Sequence, residues 1–174
     1  MTVVVEDILT DVFALLPVAT FSNAKTAPIT FSWGNDKDLA KYLKLRLSKV
    51  NYPLIWLVTG DEIENRMANV ILRKCRLIIA INSIRETEIN PSIWETDFRL
   101  TLNPLKENVL IALQNSGKTR IVNPDKVTVR REPNYCDEGT NKAKTIDIWN
   151  AIVLDLEVEF NSRTNCFQKI QFIN

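Results

Sequence analysis

Histidine is absent from all 174 residues. That absence removes the commonest general base at neutral pH and the commonest zinc ligand, and with them any Ser-His-Asp or Cys-His nucleophile. Net charge is scarce too. Lys and Arg number 22 against 21 Asp and Glu, so no global field draws the chain onto nucleic acid or an anionic membrane. Only 4 Gly and 7 Pro occur, which excludes collagen-like and low-complexity chains. The three cysteines, Cys75, Cys136 and Cys166, are odd in number and widely spaced. They fit neither a disulfide framework nor a zinc finger or ribbon, and they point to thiols in a reducing compartment. No stretch reaches 18 uncharged apolar residues, so no membrane span is expected. The apolar first sixteen residues carry Glu6, Asp7 and Asp11 without an early Lys or Arg, which does not suit a secretory leader; a cytoplasmic protein is expected.

What is present describes one ordinary domain, 1–174, with a hydrophobic fraction of 45% and a charged fraction of 25%. Val5, Ile8, Val12, Leu15 and Leu16 follow helical spacing up to Pro17, predicting a first helix over 3–16. ITFSW at 29–33 reads as a short strand. Asn35 or Asp36 can then cap a second helix with Leu39, Leu43 and Leu47 on one face. YPLIWLVT at 52–59 and VILRKCRLIIAI at 70–81 read as strands, joined by a hairpin connection in GDEIENRM. Trp94, Phe98, Leu102, Leu105, Val109 and Leu113 form a helical stripe interrupted at Asn103–Pro104, so the pattern predicts a kinked long helix or two abutting ones, stopped by Asn115, Ser116 and Gly117.

The clearest pattern is IDIWNAIVLDLEVEF at 146–160, whose even positions are mostly apolar while Asp147, Asp155, Glu157 and Glu159 occupy odd ones. A straight strand of that length extends about 50 Å, so it either bends at Asn150 or projects to pair elsewhere. CFQKIQFI at 166–173 suits an antiparallel return. The stretch 132–145 should be the least structured. Together these elements predict an α+β fold: a mostly antiparallel twisted sheet, helices packed on one face, and a long C-terminal strand.

Few motifs carry chemistry. SGKT at 116–119 matches the end of a phosphate-binding loop, but Ala112 stands where that motif needs its first glycine, and the segment closes a helix rather than opening one. Asp36 and Asp38 beside Asn35 suit a helix start better than a cation loop. Asp155, Glu157 and Glu159 sit about 7 Å apart in succession along one strand face. Such a row can ligate a metal or form an acid pair; more often it is solvated or meets basic residues across a strand. Arg73, Lys74 and Arg76, or Lys126, Arg130 and Arg131, are the candidates to meet it, or else to touch phosphate. Trp33, Trp56, Trp94 and Trp149 suit core or interface anchors, since no basic stripe interleaves with them.

Three segments, YPLIWLVTGDEIE at 52–64, NPSIWETDFRLTLNPLKENVLIALQNSG at 90–117 and TIDIWNAIVLDLEVEF at 145–160, together cover about a third of the chain. Their order resembles the small neck proteins of tailed bacteriophages, the tail-completion, tail-terminator or head-to-tail joining family. The resemblance implies a virion protein present in host cytoplasm during assembly. It implies a homo-oligomeric ring of six or twelve copies contacting portal or connector and tail proteins, with DNA passing through its lumen without sequence-specific binding. The residues themselves, with no histidine, an incomplete phosphate loop and no apolar span, lead to the expectation of no enzymatic activity, no cofactor, no bound metal and no membrane contact. A ring needs a heterologous interface, and an overlong amphipathic strand can supply an edge for it. Subunit contacts are therefore expected at Trp149, Asp155, Glu157, Glu159, Arg73 and Arg76. The alternatives are another virion or tube-assembly adaptor, or an enzyme built on the carboxylates.

Overall fold

The computed structural model describes residues 4–35, 37–39, 42, 52–65, 70–83, 91–135, 148–161 and 170–172. Asp36, Leu43, Leu47, Cys136, Asp147 and Cys166 lie outside them, as does most of the expected return strand at 166–173.

Helix α1 spans Val5–Phe13 and turns Val5, Ile8, Leu9, Val12 and Phe13 inward, while Glu6 and Asp7 in its first turn complement the helix dipole. A small hairpin follows, β1 (Ala19–Thr20) with β2 (Thr26–Ala27), which the sequence pattern had not announced. Strand β3 (Thr30–Gly34) ends at a glycine for a steric reason. A Cβ on Gly34 would lie 2.7 Å from that of Asp38 and 3.0 Å from the Trp56 ring. Asn35 then caps the helical residues after it, its Oδ1 accepting from the N–H groups of Lys37 and Asp38 at 2.9 and 3.0 Å.

Strands β4 (Leu54–Val58) and β6 (Val70–Ser83) fall where the apolar runs predict. Their connection is itself partly strand: β5 (Glu62–Asn65) pairs with the first part of β6. A short helical turn α2 (Pro91–Ile93) leads into a π-helical stretch, Trp94–Leu102, and then α3 (Asn103–Asn115). The change of winding falls at Asn103–Pro104. The Asn103 N–H still reaches back five residues to Phe98, and Pro104, which has no N–H to give, opens the α-helical part. Strand β7 (Thr119–Ile121), a 3₁₀ turn (Pro124–Lys126) and β8 (Thr128–Tyr135) come next, followed by β9 (Ile148–Asn161). The expected loop over 132–145 is thus strand through Tyr135.

These strands make one mixed sheet in the order β3-β4-β6-β9-β7, with β5 also on β6 and β8 also on β9. Among the described residues only β3–β4 is parallel. The centre is the β6–β9 pair, antiparallel in unbroken register from Val70↔Asn161 to Ser83↔Ile148. The long strand therefore neither bends at Asn150 nor leaves the domain. It runs beside a partner of equal length, and its other side is taken by β8 and β7.

One face of the sheet carries the main core. Ile71, Cys75, Leu77, Ile79 and Ile81 of β6 and Ile152, Leu154, Leu156, Val158 and Phe160 of β9 meet α1 and the 91–115 helical run there. Burying these side chains stabilises the fold by about 1.5–3 kcal/mol apiece. The opposite face holds a second core at one end only: Leu39, Leu54, Trp56, Ile78, Ala80, Trp149, Ala151 and Val153, rimmed by Tyr42, Tyr52 and Tyr135. The two halves of β9 show this in their sequence. IWNAIVL is nearly continuous in apolar residues because both faces are covered, whereas DLEVEF alternates because one face meets water.

Candidate functional site

The uncovered half of the second face is the candidate site. Strand alternation brings Lys74 and Arg76 of β6 onto it beside Glu157 and Asp155 of β9, their register partners. Each flank of the β6–β9 pair consists of two short strands, and the loop between them forms a wall. Thr59 and Gly60 stand on the β6 side, Asn123 and Lys126 on the β9 side. The trough between has a volume of about 560 Å³ and includes Val58, Lys74, Arg76, Asp155 and Glu157 in its lining. A smaller recess of about 220 Å³ beyond it includes Gly117, Lys118, Arg120 and Glu159.

Electrostatics on this floor are largely internal. Asp155 accepts from Arg76 Nε at 2.7 Å and from Arg130 Nη2 at 3.1 Å, and Arg120 lies 3.9 Å from Glu159. Exposed pairs of this kind contribute about 0–1 kcal/mol each, since solvent screens them. Asp155 thus holds a guanidinium on each of its two carboxylate oxygens. No group of three or more Cys, Asp or Glu able to hold a metal ion occurs among the described residues.

Of the six expected contact residues, Arg76, Asp155, Glu157 and Glu159 share this surface. Arg73 and Trp149 do not. Arg73 has the strand parity of Ile71 and Cys75, so it points into the main core. It is 2% exposed, and its Nη1 donates to Glu6 of α1 at 2.8 Å and to Glu62 of β5 at 2.7 Å. Trp149 is 1% exposed in the second core, donating its Nε1–H to the Tyr52 hydroxyl at 2.6 Å and stacking on Tyr135 at 6.2 Å. It anchors this chain's own interior instead of reaching a neighbour. The expected edge on 146–160 is corrected in the same way, because β9 is bordered on both sides within the chain.

Other polar positions were not singled out by the sequence patterns. Asn150, fully buried on the helical face, donates from Nδ2 to Asp97 Oδ2 at 2.6 Å and so ties β9 to the π-helical stretch. Two buried donors, Trp56 Nε1 and Arg73 Nε, have no acceptor among the described residues. Burial pushes the Cys75 thiol up to about 12; Arg73 opposes the shift, while Glu62 and Glu6 reinforce it. Such a thiol is an inert core group. The SGKT segment is a helix stop. Gly117 takes a left-handed φ of 79°, Ser116 Oγ accepts from the N–H groups of Lys118 and Thr119, and Lys118 Nζ reaches Asp11 at 3.0 Å.

No family model matches the chain, and no curated protein or solved structure matches it either.

Proposed function

We propose that this chain is a structural subunit of a tailed-bacteriophage neck, one copy of a ring of six or twelve that joins the head connector to the tail. DNA passes through the ring lumen without sequence-specific contact, and the chain performs no reaction of its own. The reading is supported by the order of elements: an early helix, a strand pair, a long helical run on the sheet and a long late strand.

The observation that carries it is the division of the sheet into two halves. In one half both faces are buried, which makes a rigid scaffold. In the other the second face stays open, charged and troughed while the helical face remains covered. A floor on which Asp155 already pairs with Arg76 and Arg130 suits contact with another protein surface better than chemistry on a small molecule.

Gene order tests the proposal directly. Neighbouring genes for a portal, capsid or tape-measure protein are the expected finding; a setting among metabolic genes with no virion gene nearby overturns it.

A further inference from the structure

Four strands, β3, β5, β7 and β8, are each paired on one side only among the described residues, and the main-chain groups of β3 and β8 can be assigned. Thr30 N–H donates to Pro53 and Thr59 N–H donates to Gly34, so Thr30, Ser32 and Gly34 face β4. Phe31 and Trp33 therefore direct their N–H and C=O groups outward, where no described residue pairs with them. On the opposite flank, Asn161 N–H donates to Lys118 and Val122 N–H to Glu157. These bonds turn the odd-numbered groups of β9 toward β7 and β8. In the register Thr128↔Asp155, Arg130↔Val153 and Glu132↔Ala151, it is Val129 and Arg131 that direct their groups outward.

From these two edges we infer that copies of this chain join head to tail, β3 of one continuing the sheet beyond β8 of the next. The contact deepens the ring reading by naming the edges that would make it. In such a continuation β3 runs antiparallel to β8, and the helical faces of the two copies lie on the same side. The five residues Thr30–Gly34 match the five of Thr128–Glu132, which end just before Pro133 and the register shift of β8. Phe31 then exchanges both bonds with Arg131, and Trp33 with Val129. All four side chains lie on the helical face.

Side chains favour this pairing over its rivals. Trp33 is 44% exposed and lies diagonal to the exposed Arg131, whose guanidinium reaches Asn103 at 3.3–3.4 Å, so a cation–π contact forms across the junction. Two β8 edges would instead bring Arg130 and Arg131 of both copies together. β3 carries no charge, proline or bulge of the kind that blunts an exposed edge. The contact is heterologous, so it propagates until it closes.

Cross-linking tests it. Ser32 and Arg130 become a directly opposed, non-hydrogen-bonded pair with Cα atoms about 4.5 Å apart, within disulfide reach. In a Cys136→Ser, Cys166→Ser background, only buried Cys75 remains. Mixing S32C with R130C protein under oxidation should give a two-chain product. Neither variant alone should, and the doubly substituted chain should give a ladder of multimers. Far-ultraviolet circular dichroism of each variant checks that it folds. As a second measurement free of engineered cysteines, Trp33→Lys should weaken self-association in sedimentation by about tenfold, through loss of the cation–π contact and a new repulsion. No product in the mixture, or S32C alone cross-linking as readily, overturns the inference. Rings seen by microscopy without the cross-link would discard this edge contact and keep the neck reading. A ladder from a protein whose gene has no virion neighbours would do the reverse.

Discussion

Asp155 and Arg73 both sit in ion pairs, and burial separates what each is worth. Removing Arg73 strands the carboxylates of Glu6 and Glu62 at the edge of the main core, so Arg73→Ala should cost about 3–5 kcal/mol in urea unfolding. Asp155→Asn breaks two exposed pairs and should cost less than about 1 kcal/mol in the same assay. Trp149→Ala should cost about 3–5 kcal/mol, as a large side chain lost from a closed core. Cys75 adds a pH dependence. Its folded value is raised from 9.0 to about 12, so the unfolded chain loses the proton first and stability falls as pH climbs through that window. Relative to Cys75→Val, the wild-type protein should lose unfolding free energy between about pH 8 and about pH 10.5, and this group should contribute no slope below that range. Strand parity separates Arg73 from Lys74 and Arg76, so its inward direction was legible in the row Ile71, Arg73, Cys75, Leu77; a basic triplet hid it. Its partners were not legible, because Glu6 and Glu62 lie on other elements and only the tertiary fold brings them near.

Elements with strong periodicity are legible in the sequence, as is the short strand at ITFSW; the short polar strands are not. β9 and β6 could be placed because alternation and long apolar runs leave little choice. β7 and the start of β8 could not, since TRI and TVRRE are short, polar and stabilised by β9 rather than by any preference of their own. The excess length of β9 was visible, but its cause was not: β6 matches it residue for residue. Asn150, expected to mark a bend, instead supplies the polar contact that docks the π-helical stretch on the sheet. Asn150→Ala should leave Asp97 without that donor and cost about 1–3 kcal/mol. Amide exchange should accelerate over 94–102 while α3 keeps its protection; equal acceleration along both segments would show that the contact has no local docking role.

At the scale of the molecule, the fold is a sheet with one fully packed helical face, a second face half packed and half charged, and outer strands that include β3 and β8 with outward main-chain groups. The sequence made the packed half legible through its apolar periodicity. It left the trough unread, because three strands and two loops distant in sequence build that surface and the register between β6 and β9 sets charge beside charge. The account's central claim is that these surfaces serve assembly with further copies of the chain. Native mass spectrometry of the wild-type protein over a rising concentration series tests that claim most directly. A discrete assembly of six or twelve copies is the predicted result; a monomer throughout to the solubility limit, or a dimer that grows no further, would contradict it.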